Sequence, residues 1–114
     1  MLKTIPEVIA QARQSLNTIN AAEAALKCKA ENGLVIDVRE PDEFSEKSAS
    51  NTINIPRGLL EMKMLQLHPD ENLAVFIHCA TGVRATFAAE QLQRVGYKNV
   101  WAITSTLDDV LRVF

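Results

Sequence analysis

Apolar positions along the chain recur with two different periods. Ile5, Val8, Ile9, Ala12 and Leu16 are spaced three and four apart, which predicts an amphipathic helix with Pro6 tolerated in its first turn. A short extended piece around Thr18-Ile19 follows. Asn20 then has the character of an N-cap, with Glu23 three residues on. The alanine-rich run to Lys29 is a good helix former and ends at Asn32-Gly33. Continuous apolar runs replace the helical spacing at residues 34–38, 53–55, 73–78 and 100–103, and predict buried strands. Between them, Leu60, Met64 and Leu67 form one helical face. Phe87, Ala88, Leu92 and Val95 form another within residues 83–95. Leu107, Val110, Leu111 and Phe114 mark a last helix, capped by Ser105 or Thr106, with Asp108 and Asp109 near its N-terminus.

Strands that alternate with helices imply an α/β fold: a small parallel sheet of about five strands with helices on both faces. Turn signals recur at Asn32-Gly33, Pro41-Asp42, Pro56-Arg57-Gly58, His68-Pro69-Asp70 and Gly96, with no internal repeat, low-complexity tract or linker. The expectation is one domain over residues 1–114. Sheets of this kind bind ligands at the carboxyl ends of their strands.

One such end carries the chemistry. The run 73–77 leads directly into His78-Cys79-Ala80-Thr81-Gly82-Val83-Arg84-Ala85, and a helix begins there. A cysteine thus sits between a buried strand and a helix N-terminus, with an arginine in the first helical turn. The thiolate is the nucleophilic form of cysteine, and helix N-termini and nearby cations favour it. The backbone N–H groups of Ala80, Thr81, Gly82, Val83 and Arg84 are expected to cradle an anion carried by the sulfur. Gly82 permits the tight curl. A cation at the position of Arg84 opposes the helix dipole, which implies a local anionic partner.

Other polar residues read more plainly. Asp37, Arg39 and Glu40 follow a buried strand and fit a charge network that braces neighbouring loops better than an acid/base pair. His78 precedes Cys79 on the strand and so points to the opposite face; packing or partial exposure is expected of it. His68 is a turn residue. Cys28, on the alanine-rich helix, belongs to the core more readily than to a resolving role, and the Met62, Met64 and Leu65 cluster reads as core.

Net charge is -2 and 47% of residues are hydrophobic. That balance supplies one core and offers no footprint for nucleic acid or an anionic membrane. No apolar run is long enough to span a bilayer, and the first residues lack a signal-peptide core. Two cysteines do not make a disulfide framework, and with two scattered histidines they do not make a zinc signature. A cytoplasmic setting without metal or organic cofactor is the expectation.

Three segments resemble single-domain rhodaneses, in the order that family shows them. They are Leu34-Val35-Ile36-Asp37-Val38-Arg39-Glu40-Pro41-Asp42-Glu43-Phe44, then Ile53-Asn54-Ile55-Pro56-Arg57-Gly58, then Cys79-Ala80-Thr81-Gly82-Val83-Arg84-Ala85 closed by Gly96-Tyr97-Lys98-Asn99-Val100. The resemblance implies a sulfurtransferase that carries a sulfane sulfur on Cys79 as a persulfide. Its partners would be a small sulfur-donor anion such as thiosulfate, a thiol or cyanide acceptor, and a sulfur-relay protein. Arg84 would hold the oxyanion end of the donor. Arg57, after the Ile53–Pro56 stretch, is read equally well as a surface arginine and as a residue at the active-site mouth. The alternatives are a non-catalytic rhodanese-like binding module and a cysteine phosphatase of the same fold. Those phosphatases keep one residue more between cysteine and arginine than the four that separate Cys79 from Arg84. Two stretches depart from the family: Lys47–Thr52 lacks its glycine-histidine-isoleucine, and Thr104-Ser105-Thr106 replaces a glycine pair. The expectation is that the three hydroxyl residues crowd the pocket beside the loop.

Overall fold

The computed structural model describes all residues, 1–114. Five parallel strands form one sheet: β1 (Asn17–Ile19), β2 (Leu34–Asp37), β3 (Ile53–Asn54), β4 (Ala74–His78) and β5 (Asn99–Ile103), in the spatial order β1-β5-β4-β2-β3. Six helices cover it: α1 (Ile5–Arg13), α2 (Ala21–Glu31), α3 (Pro41–Glu46), α4 (Leu60–Leu67), α5 (Val83–Val95) and α6 (Leu107–Val113). No helix is long and apolar enough to cross a membrane.

Side-chain alternation along the strands sorts the core into two layers. In β4, Val75 and Ile77, followed by Cys79, join Ile36, Leu60, Met64, Ala88 and Leu92 beneath α4 and α5. Ala74 and Phe76 face the other way, with Val35, Ala24 and Val110, beneath α2 and α6. Every residue of β4 is buried, as a central parallel strand requires, and its near-continuous apolar sequence follows from that.

The topology also places the site. The chain leaves β4 through α5 toward β5 on one side, and leaves β2 through α3 toward β3 on the other. Connections diverge at the carboxyl ends of β2 and β4, and such a divergence opens a crevice there. The segments after Asp37 and His78 therefore share one end of the molecule, held together by the Asp37–His78 register and by the Val38 N–H donating to the His78 carbonyl at 3.0 Å.

The helix α3 was not among the elements expected from hydrophobic spacing. It is one and a half turns of mostly polar residues, and nothing in it is buried. Its signal is at its start: Pro41 in the first turn and the Glu43 carboxylate returning to accept the Glu40 N–H at 3.0 Å.

Candidate active site

Cys79 ends β4 on the α5 face and is 1% exposed. The chain then turns through Ala80 and Thr81 to Gly82, whose φ of +96° is a conformation L residues rarely adopt, and α5 begins. This turn brings the Gly82 N–H to 3.1 Å and the Ala85 N–H to 3.4 Å from the Cys79 Sγ, both donating to it. The N–H groups of Thr81, Val83 and Arg84 have no acceptor within the chain, as the first turn of a helix dictates. The sulfur thus occupies the base of a ring of donors at a helix N-terminus, a setting that stabilises negative charge.

The loop is held from behind by residues that hydrophobic spacing could not single out. Thr86 is fully buried, and its hydroxyl donates to the Gly82 carbonyl at 2.7 Å. Arg13, from the end of α1, donates through Nε to the Thr86 oxygen at 3.1 Å and through Nη2 to the Gly82 carbonyl at 3.5 Å. On the other side, the Leu107 N–H at the start of α6 donates to the Ala80 carbonyl at 3.0 Å. Two helices remote in sequence therefore fix the loop's carbonyls, which turns its N–H groups inward.

Arg84 does have an anionic partner, and it is Glu43 of α3. Nη1 and Nη2 reach the two carboxylate oxygens at 2.7 and 3.1 Å, a fork-to-fork pair. The Arg84 guanidinium, helped by the Glu40 N–H, holds the Glu43 carboxyl down at about 2. Glu43 in turn pushes the Arg84 pKa up, with a smaller contribution from Cys79. So the arginine fork expected to be free for a donor is closed by the protein itself. Arg57 is closed too: its guanidinium meets Glu61, one turn later, at 2.6 Å. Only its backbone reaches the carboxyl edge, donating its N–H to the Val38 carbonyl at 3.0 Å.

The Asp37–Arg39 pair braces the loops beside the site. Both residues are buried, and Arg39 grips the Asp37 carboxylate at 2.8–3.1 Å. Its remaining N–H groups donate to the Lys47 carbonyl at 2.6 Å and the Glu43 carbonyl at 3.4 Å. A buried pair with its donors satisfied in this way specifies one loop geometry, and removing either member leaves an uncompensated charge costing about 3–5 kcal/mol. The altered 47–52 segment is anchored by this network: Thr52 donates to the Val35 carbonyl at 3.2 Å and meets His78 Nε2 at 3.3 Å.

Of the Met62, Met64 and Leu65 cluster expected in the core only Met64 is buried; Met62 and Leu65 lie on the exposed face of α4. His78 faces away from Cys79 and, of the packing and partial exposure expected of it, shows packing: it is fully buried against Thr52. Its Nδ1 has no partner, and burial pushes its pKa down. The hydroxyls at 104–106 do not crowd the loop. Ser105 accepts the Ala21 N–H of α2 at 2.9 Å, Thr106 caps α6 by accepting the Asp109 N–H at 3.4 Å, and Thr104 donates to the Ile19 carbonyl at 3.4 Å. Open helix N-termini and a strand end claim these side chains. Only the backbone of Thr104 comes close, 3.5 Å from where a Cβ on Gly82 would stand.

Similarity to known proteins agrees with this geometry. The model of the rhodanese-like domain matches residues 20–109. The chain is 36% identical over 78 residues to the mitochondrial thiosulfate sulfurtransferase RDL2 of Saccharomyces cerevisiae, covering 58% of this chain and 52% of that one. It is 32% identical over 65 residues to the thiosulfate sulfurtransferase PspE of Escherichia coli, covering 57% and 62%. It therefore spans less than two thirds of the length of these curated relatives. Among solved structures, a Rhodopseudomonas palustris protein of unknown function, described as a possible tyrosine phosphatase, superposes with a TM-score of 0.80 at 25% identity, over 98% of this chain and 91% of that one. A buried cysteine that accepts backbone N–H groups between a central parallel strand and a helix N-terminus, within residues 20–109 matched by the rhodanese-like domain, places the chain in the rhodanese-like family of sulfurtransferases.

Proposed function

We propose that the protein transfers sulfane sulfur through a persulfide on Cys79. The Cys79 thiolate attacks the outer sulfur of a donor. With thiosulfate, the S–S bond breaks, its electron pair leaves on sulfite, and Cys79 holds the terminal sulfur as an anionic persulfide. A thiol or cyanide acceptor then removes that sulfur and restores the thiolate, a ping-pong cycle needing no cofactor. A sulfur-relay protein could serve as donor or acceptor by presenting one thiol to the loop.

The observation that carries this reading is the donor ring. Two N–H groups already reach Sγ, and those of Thr81, Val83 and Arg84 in the same loop have no acceptor; on this reading an added sulfur takes them up. Such fixed donors stabilise the persulfide and the charge that builds on it during transfer. Ala80, Thr81, Gly82, Val83 and Arg84 act through their backbone, while the Arg84 side chain is held by Glu43. Arg57, committed to Glu61, borders the edge of the site without a free fork.

A phosphatase reading has the structural likeness to a possible tyrosine phosphatase in its favour. Against it stand the short Cys79–Arg84 loop and an arginine already filled by a carboxylate, which together leave little to bind a tetrahedral phosphate. Intact-mass spectrometry after incubation with thiosulfate tests the choice. One added sulfur on wild-type protein, absent in Cys79→Ser, is the expected result. Cys79-dependent turnover of an aryl phosphate without sulfur loading would decide for the phosphatase.

A further inference from the structure

Among the cations on the segments that leave β2, β3 and β4 are Arg39, Lys47, Arg57 and Arg84. Each is closed on a carboxylate of this chain. The helix α3 beside them carries acidic residues that no cation answers; among these, Glu46 lines a cleft of about 450 Å³ together with Glu43, Leu107 and the already paired Arg39 and Lys47. That cleft adjoins the active loop on both sides, because Glu43 holds Arg84 and the Leu107 N–H holds the Ala80 carbonyl. Arg13 is the one further cation at the loop, and its donors are spent on Thr86 and the Gly82 carbonyl. An incoming donor thus meets neutralised cations and a surplus of carboxylate.

The pair is built rather than incidental. The Glu43 carboxylate is tethered by the Glu40 N–H, and its carbonyl accepts from Arg39, which the buried Asp37 locks in turn. A side chain placed by a buried network holds its partner at less entropic cost than two free surface chains. Glu43 also stays ionised far into acid, so its charge is constant over the range in which the site works.

We propose, resting on the sulfurtransferase reading above, that Glu43 is a specificity-determining residue: by occupying the Arg84 fork it filters sulfur donors by charge, favouring a low-charge alkyl persulfide over the thiosulfate dianion. Thiosulfate must compete with a covalently tethered carboxylate for Arg84. A persulfide R–S–SH need not. The Cys79 thiolate attacks its terminal sulfur, the S–S bond of the donor breaks, and the electron pair leaves on the RS⁻ thiolate while Cys79 keeps the terminal sulfur as Cys79–S–SH. Atoms and charge balance without oxidant or reductant.

The experiment compares steady-state kinetics of wild type and Glu43→Gln with thiosulfate and with cysteine persulfide, a thiol acceptor being held constant. Glutamine can still accept the Glu40 N–H, so the start of α3 is kept. Glu46→Gln, which changes net charge equally but frees no arginine, is the control, and circular dichroism confirms folding of both variants. The expected result is a fall in KM for thiosulfate of about two- to fivefold in Glu43→Gln, the range of a partly exposed ion pair, with kcat little changed. The KM for cysteine persulfide and both constants of Glu46→Gln should move less, and high salt should shrink the difference. An unchanged or raised KM for thiosulfate in folded Glu43→Gln, with Cys79 still gaining sulfur by mass spectrometry, overturns the filter and leaves the sulfurtransferase reading standing. Failure of any donor to load Cys79 overturns both.

Discussion

The two cysteines of this chain lie in opposite settings, and the contrast supports the proposal that Cys79 is the reaction centre. Cys79 is at the carboxyl edge of the sheet beneath α5; Cys28 sits on α2 near the amino-terminal edge, where Gly33 leads into β2, and packs with the other core layer. Four paired positions of β2 and β4 separate those edges, roughly 10 Å of strand, so the two sulfurs cannot join in a disulfide. Cys79 is the more buried, yet it is the one surrounded by N–H donors. Around Cys28, burial outweighs the single backbone N–H of Gly33 and, helped by the Glu31 charge, pushes the thiol pKa up. Burial by itself therefore says nothing of reactivity. The orientation of backbone dipoles around the sulfur decides it, and only the carboxyl end of a parallel strand feeding a helix provides that orientation.

The sharpest test of the contrast is a substitution at Cys79. Cys79→Ser should lower sulfur transfer by at least roughly a thousandfold with the circular dichroism spectrum unchanged. Substantial activity in that folded variant would end the assignment of Cys79.

Glycine substitutions at the two ends should separate stability from catalysis. Gly82→Ala places an L residue at φ +96° with its Cβ 3.0 Å from Arg13 Nη2. The expected cost is about 1–3 kcal/mol of stability, with activity per folded molecule reduced roughly ten- to a hundredfold because the donors move off the sulfur. Gly33→Ala, at the Cys28 end, sets a Cβ 2.8 Å from the Phe76 ring and 2.9 Å from the Ala74 carbonyl. It should cost a similar ~1–3 kcal/mol from overpacking yet leave the activity of the folded fraction intact. Urea titrations alongside kinetics check both.

His78 distinguishes the layer behind the reactive sulfur. Burial lowers its pKa in the folded chain, so the folded protein keeps it neutral while the unfolded chain takes up a proton. Stability should therefore fall as pH drops through about 6.5, the ordinary imidazole value. His78→Gln should flatten that slope in urea midpoints measured from about pH 8 to about pH 5. Glu43 has the same sign at lower pH. Its contribution, small because the pair is partly exposed, is present above the ordinary carboxylate range and disappears as pH approaches about 2.

The smallest effect is expected at Cys28 itself. Cys28→Ser should change kcat/KM by less than about twofold, within the range of surface and edge substitutions remote from a site. Iodoacetamide mapped by peptide mass should label Cys79 before Cys28 despite its deeper burial. The reverse order would undo the comparison.

Much of the architecture was legible in the chain because it depends on neighbours in sequence. The span of α5, the strand before it, the glycine turn and the cysteine between them follow from apolar spacing and local backbone preference over residues 73–95. The Asn20 cap and the acidic start of α6 are equally local. The helix α3 escaped because it buries nothing, so the periodicity that reveals a helix is absent from it.

What the tertiary structure alone decided is the choice of partner for each long polar side chain. Arg84 could be read as needing an anion, but whether a substrate or the protein supplies it depends on β2 and β4 lying side by side, which brings Glu43 across 41 residues of chain. Arg13 reaches the loop only because α1 packs on α5, and the hydroxyls at 104–106 turn away only because two helix N-termini present unpaired N–H groups there. Hydrophobic period and backbone propensity are properties of short segments and can be read along the chain. Hydrogen-bond and charge pairing are properties of positions in space, set once the sheet order brings distant segments to the same edge.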